Sequence, residues 1–204
     1  MINALKIIAI LIVGYLLGSV NVAVIVSKCF FKGDVRDQGS HNAGTTNMAR
    51  VYGMSAGLLT LAGDILKTVF AMLLGKLLLG EMGFSLGGIA CVIGHCFPVF
   101  FGFKGGKGVA VSGAVAIMLG WEFALSLIGL FLVIVIITRY VSLGSLISVV
   151  MLIPALIIFG GYGTWVYILA VVLIVSVWYM HRGNIKRLLT GTESKFVPGK
   201  RKQQ

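Results

Sequence analysis

The chain has 204 residues, of which 58% are apolar and only 11% charged, with a mean hydropathy of +1.03 and a formal net charge of +11. Such a balance lies far outside that of a soluble domain and reads as an integral membrane protein. The positive charge does not indicate nucleic acid as a partner, because the lysines and arginines occupy short gaps between long apolar runs.

Apolar runs bounded by charge or glycine fall at about 5–27, 55–79, 84–101, 109–119, 123–138, 143–159 and 164–180. Most approach the roughly 20 residues needed to cross ~30 Å of hydrocarbon. The first run is too long for a signal-peptide core and lacks an A-x-A cleavage site, so it is expected to stay as a spanning helix. As one helix, 109–138 would stretch about 45 Å, so Gly120, Trp121 and Glu122 are read as a turn between two short helices. The alternative is a six-helix chain. Charge sidedness arbitrates, since lysine and arginine accumulate in cytoplasmic loops. With seven helices, 14 of the 17 basic residues, Lys200, Arg201 and Lys202 among them, lie in four inner segments; Lys6 and Lys76 lie outside and Lys67 within a helix. The expectation is an all-α polytopic membrane protein of about seven transmembrane helices, N-terminus outside and C-terminus cytoplasmic. A single domain covers 1–192 and a basic tail covers 193–204.

Cys29, Cys91 and Cys96 form no CxxC pair and read as small apolar fillers. Carboxylates number only six and are scattered, so neither a metal nor any other cofactor is expected. Oligomeric state is left open.

Polar residues gather in the inner segments. Gly39 to Arg50, GSHNAGTTNMAR, packs hydroxyls, amides, glycines and one arginine into twelve residues, a composition able to wrap a phosphate. A solvated loop that caps the next helix would need the same asparagines and threonines. Phe103 to Gly108, FKGGKG, sets two lysines and three glycines before a helix start, where the dipole favours an anion. It is not a Walker A loop, because Phe101 stands where glycine is required and Gly108 where serine or threonine is required. Positive-inside anchoring is the simpler alternative, although anchoring does not call for three glycines. Arg139 to Ser145, RYVSLGS, is a tight turn with two serines. In His181 to Glu193, HRGNIKRLLTGTE, Lys186 and Arg187 read as lipid-headgroup anchors, and His181 and Asn184 share a helix face. Asp64 and Lys67, three apart inside an apolar run, read as a neutralised pair, and His95 as a hydrogen-bonded structural residue.

Taken together, GSHNAGTTNMAR at 39–50, GHCFPVFFGFKGGKGVA at 94–110 and HRGNIKRLLTGTE at 181–193, with the lesser LAGDILK at 61–67 and RYVSLGS at 139–145, resemble one family across nearly the whole chain. It is the bacterial acyl-phosphate-dependent glycerol-3-phosphate acyltransferases. His41 and Ala43 depart from the Gly and Pro expected there, which bears on loop rigidity but removes no cation.

The resemblance implies a bacterial inner-membrane enzyme with its active site on the cytoplasmic side. It would move a fatty acyl group from a long-chain acyl phosphate to the 1-hydroxyl of glycerol 3-phosphate, giving lysophosphatidic acid and inorganic phosphate among membrane lipids. The acyltransferase His/Asp pair five positions apart is absent: the positions five after His41, His95 and His181 are Thr46, Phe100 and Lys186. Proton transfer is therefore expected to be substrate-assisted, with His181 as general base the second possibility. Substrate phosphate is expected at Ser40, Asn42, Thr46, Asn47, Arg50, Lys104, Gly105, Gly106 and Lys107; catalytic roles fall to His181, Asn184, Lys104 and Ser142. The alternative function is a membrane transporter for an organic phosphate, which would need charges at mid-membrane and internal symmetry.

Overall fold

The computed structural model describes residues 2–196, and among them the regular structure is entirely helical. The expected tail beyond Phe196, with Lys200, Arg201 and Lys202, lies outside the described residues.

The expected first span is broken into α1 (Ile2–Ser19) and α2 (Val22–Phe31). Asn21 causes the break, because its side chain accepts the Val24 N–H at 3.2 Å and starts a new helix there. The short α3 (Thr45–Tyr52) follows a loop, and α4 (Met54–Cys96) then runs for 43 residues. It is not a rod. Leu79 and Gly80 leave the helical region, Gly80 at φ +59°, and the chain folds back on itself. The two arms pair antiparallel: Gly75 abuts Gly83 and Gly87 abuts Ala71, each so close that a Cβ would strike the opposing carbonyl. The expected third span ends at Cys96 rather than at 101, because Pro98 cannot continue a helix and Gly102 takes a left-handed turn at φ +66°.

The expected turn at 120–122 narrows to one residue. Gly120 alone separates α5 (Val109–Leu119) from α6 (Trp121–Thr138), and Trp121 and Glu122 already belong to α6. The run 143–159 divides into α7 (Val141–Val150) and α8 (Leu152–Phe159). Pro154 explains the division, since it lacks the N–H that would bond to Val150 and its ring crowds that carbonyl. After α9 (Thr164–Met180) the chain bends by 60° into α10 (Arg182–Leu189).

Four stretches are long and apolar enough to cross a membrane, namely Ile2–Phe31, Met54–Phe101, Trp121–Thr138 and Val141–Phe159, or five with the bent pair α9–α10. By that measure the expected seven is not reached. The folded-back α4 counts once although it has two arms, and α5 at 11 residues rises only about 16 Å.

One apolar cluster joins both arms of α4 to α5 through α9, around Met72, Val92, Val115, Phe123, Leu156 and Leu173. A smaller one, with Val24, Val35, Ala43 and Met48, lies under the first loop. Small residues let α1 approach α4 at backbone distance: a Cβ on Gly18 would meet the Cys91 carbonyl, and one on Gly94 the Tyr15 carbonyl. Helices in lipid gain little from burying apolar surface, so such contacts carry the association. In α6 only Phe123 and Leu127 are fully buried, and Leu125, Val133, Ile136 and Ile137 face outward.

Gly18→Val should therefore lower stability in detergent thermal denaturation by about 2 kcal/mol or more. Gly129→Ala, whose Cβ meets nothing within 4 Å, should be neutral or slightly stabilising.

Candidate functional site

The first loop is wired from within by one side chain. Asn47, 1% exposed, donates from its amide to the carbonyls of Val35, Gln38 and Asn42 and accepts the Ser40 N–H at 2.8 Å. Its hydrogen-bonding capacity is spent on shaping the loop, so its expected contact with phosphate gives way to a structural role. His41 has φ +57°, which accounts for the glycine expected at that position; its Nδ1 lies 3.1 Å from the Arg36 carbonyl. Arg36 ties this loop to the next. Its guanidinium pairs with Asp34 at 2.8 Å, holding that carboxyl down at about 2, and donates to the Phe101 carbonyl at 2.8 Å.

The second loop turns back under His95, whose carbonyl accepts the Gly106 N–H at 3.0 Å. Gly105 and Gly106 lie against the His95 carbonyl and ring so closely that neither site has room for a Cβ. These glycines serve close packing, and the Gly106 amide is already engaged. The turn also sends successive lysines apart: Lys104 is exposed, whereas Lys107 points inward and donates to Asn184 Oδ1 at 2.5 Å. Lys104, Gly105 and Gly106 therefore do not line the cavity, contrary to expectation, because the two glycines between the lysines carry the chain back under His95.

That cavity, about 390 Å³, is lined by Ser40, Asn42, Thr46, Asn47, Arg50, Lys107, Ser142, His181 and Asn184 of the expected site. Below these, Ala116, Ile117, Leu127, Ile128, Phe131, Leu132, Val149 and Leu152 form an apolar sleeve. From Val109 to Ile117 along α5 the lining descends about 12 Å. A polar mouth thus opens onto a greasy slot.

Sequence reasoning missed the hub of the mouth. Glu193, expected at the head of the tail, accepts from Ser142 Oγ at 2.7 Å and Asn184 Nδ2 at 2.6 Å on one oxygen, and from Arg187 Nε at 2.7 Å on the other. Arg187, expected to anchor lipid, instead makes this ion pair and lines the cavity. The signal was present: Gly191 at φ +68° ends α10 and turns the chain back. Burial pushes the Glu193 carboxyl up, but the bonds from Ser142, Asn184 and Arg187 prevail and hold it below the usual range.

Lys107 is pulled down to about 8, chiefly by burial and then by the Arg187 and Arg50 charges, against the pull of Glu193. His181 is pulled down to about 4 by burial and by the Lys107 charge, against the Val177 carbonyl and Glu193. Its Nδ1 lies 2.8 Å from that carbonyl, which can only accept, so Nδ1 carries the ring proton and Nε2 offers a lone pair. Asp64 and His95 also line the cavity. Among the described residues no group of three or more His, Cys, Asp or Glu is arranged to hold a metal. The arrangement suits a phosphate-bearing reactant with an apolar chain, held by cations beside a neutral imidazole.

Comparisons with known proteins agree with this chemistry. The sequence model of the family described as "Glycerol-3-phosphate acyltransferase" matches residues 8–191. A glycerol-3-phosphate acyltransferase of Thermoanaerobacter pseudethanolicus is 42% identical over 185 residues, covering 91% of this chain and 93% of that one. One of Lactiplantibacillus plantarum is 40% identical over 205 residues, covering 98% of each. The crystal structure of PlsY (YgiH), an integral membrane glycerol 3-phosphate acyltransferase in its glycerol 3-phosphate form, superposes with a TM-score of 0.87 at 38% identity, over 94% of this chain and 96% of that one. Its lysophosphatidic acid form gives 0.85 at 37%, over 94% and 95%. By family model, sequence and fold alike, this chain belongs to the glycerol-3-phosphate acyltransferase family.

Proposed function

We propose that the chain transfers a fatty acyl group from acyl phosphate to the 1-hydroxyl of glycerol 3-phosphate at the cytoplasmic face of the bacterial inner membrane. The observation that carries this reading is the cavity whose mouth holds Arg50, Lys107, His181 and Asn184 and whose sleeve is apolar. Both reactants carry phosphate and one carries an alkyl chain, and the relatives act on glycerol 3-phosphate by name. Family membership favours the transferase over a transporter of organic phosphate.

The topology we propose has seven crossings, with the N-terminus outside and the C-terminus cytoplasmic. Its support is the cavity: residues from 40–50, 107–110, 141–145 and 181–194 line one site, so these segments must share a side. That asks for one crossing before the first segment and a pair before each of the others. The arms of α4, then α5 with α6, then α7–α8 with α9, provide those pairs. The segment 1–192 would act as one domain, to which Glu193 and Ser194, at the head of the expected tail, are joined as part of the site.

In the mechanism, the glycerol hydroxyl oxygen attacks the acyl carbonyl carbon and the carbon–oxygen bond to phosphate breaks. The departing phosphate oxygen takes the hydroxyl proton, so ester and inorganic phosphate balance the two reactants. Arg50 and Lys107 would hold the phosphates, with Ser40, Asn42 and Thr46 donating hydrogen bonds, while Ser142, whose hydroxyl proton goes to Glu193, would brace the carboxylate that holds Asn184. Asn184 would align Lys107, and His181 Nε2, a weak base at its low pKa, would accept from the neighbouring 2-hydroxyl of glycerol 3-phosphate, orienting the reactant so that the proton of the attacking hydroxyl faces the phosphate oxygen.

Purified protein in phospholipid, given acyl phosphate and glycerol 3-phosphate, should release lysophosphatidic acid and inorganic phosphate in equal amounts; no turnover of this pair would sink the assignment. His181→Ala should lower kcat about 10- to 100-fold. The ratio of wild-type to variant rate should stay flat from pH 5.5 to 8, because a group held at about 4 does not titrate there. A ratio that climbs through neutrality would establish His181 as general base instead. Lys107 is charged below about 8 and loses its proton above it, so kcat/KM for glycerol 3-phosphate should fall as pH rises through about 8. In Lys107→Arg that limb should vanish, the guanidinium staying protonated; a limb that persists would belong to another group.

A further inference from the structure

A second polar cluster lies where the arms of α4 meet the end of α1. Asp64 and Lys67 are 2% and 6% exposed, in helices read as spanning lipid, where ionised groups are costly and default to function. Around Lys67 Nζ stand the Val20 carbonyl at 2.8 Å, Asp64 Oδ1 at 2.7 Å and His95 Nδ1 at 3.1 Å. The Val20 carbonyl is open to it because Asn21's side chain has taken the Val24 N–H that would otherwise close the helix there. An ammonium has three N–H groups and no lone pair, so a nitrogen within hydrogen-bonding distance must present its own lone pair. Asp64 Oδ1, at 3.5 Å from Nδ1, is too distant to draw a proton onto that nitrogen. The neutral His95 ring therefore carries its proton on Nε2.

That second nitrogen lies against the backbone of Gly106, next to Lys107, with the Ala43 carbonyl of the first loop close by. His95 lines the cavity together with Asn42, Gly44 and Lys107. We propose that His95 is a substrate-anion ligand: its Nε2–H donates to a phosphate oxygen of a bound reactant, and Asp64 and Lys67 are positioning residues that fix the ring's tautomer and orientation. The Asp64 and Lys67 charges offset each other, so the cluster supplies a directed neutral donor between two loops already rich in cations. This rests on the acyltransferase reading, and the phosphate belongs either to glycerol 3-phosphate or to the acyl donor.

The test uses the full-length protein in lipid. His95→Gln keeps an N–H donor near the Nε2 position, whereas His95→Phe fills the ring's place without one. The phenylalanine variant should raise KM for one reactant about tenfold or more with kcat changed less than about threefold, and the glutamine variant should stay within about threefold of wild type. The KM that moves identifies which phosphate His95 holds. In ring-15N-labelled wild-type protein, the signal lost in His95→Gln should be that of a neutral ring protonated at Nε2. The proposal is overturned if that ring is protonated at Nδ1, if the glutamine variant is as impaired as the phenylalanine one, or if a folded His95→Phe protein keeps both KM values. Should His95→Phe fail to fold, the tautomer and the glutamine variant still decide. Absence of wild-type turnover would instead remove the acyltransferase reading, leaving the tautomer measurement intact.

Discussion

Backbone-to-backbone contact between helices is the constraint on which the site rests. In lipid, apolar side chains gain little by leaving their surroundings, so α1 and the arms of α4 are held by how closely their backbones approach. Gly14, Gly18 and Gly94 bring α1 onto the second arm, and Gly75, Gly83 and Gly87 bring the arms together. This closeness places Lys67 of one arm within reach of His95 on the other and of the Val20 carbonyl at the end of α1. The polar loops inherit their spacing from it, since Gly106 hangs from the His95 carbonyl.

The loops then divide their polar groups between architecture and chemistry. Asn47 spends its amide on the first loop, Arg36 bridges to the second, and Glu193 gathers Ser142, Asn184 and Arg187 from α7 and α10. Each such group sits near an apolar phase, where an unmet donor or acceptor costs more than in water. Three cations, Arg50, Lys107 and Arg187, line the mouth, and Glu193 pairs with Arg187 and tempers Lys107. Burial and neighbouring positive charge disfavour the charged form of Lys107, and an anion in the mouth would offset both. The same surroundings keep His181 neutral, which suits it to accept a hydrogen bond from a hydroxyl.

Several readings of the sequence survive because they depend on local rules. The apolar runs, the pairing of Asp64 with Lys67, and the gathering of Arg50, Lys107, His181 and Asn184 follow from composition and spacing. The departure at His41 was visible as well, and its left-handed backbone supplies the reason glycine was expected. Lys104 and Lys107 were indistinguishable in the sequence, since both stand beside glycines in one cationic turn, and only the path of Gly105 and Gly106 beneath His95 separates them. The breaks at Asn21 and Met151 were hidden inside apolar runs, because hydropathy does not register a side-chain cap or a proline's missing N–H.

The sequence by itself determined that this chain lives in a membrane and that its cations collect beside glycines in short polar segments, because hydropathy and charge are properties of single residues and short spans. Tertiary structure alone decided that Glu193 returns to bind Ser142, Asn184 and Arg187, that Asn47 builds the loop, and that Lys67 sets the ring of His95. Those choices turn on directed hydrogen bonds between residues far apart in the chain, whose distances exist only once the glycine-lined helices have closed on one another.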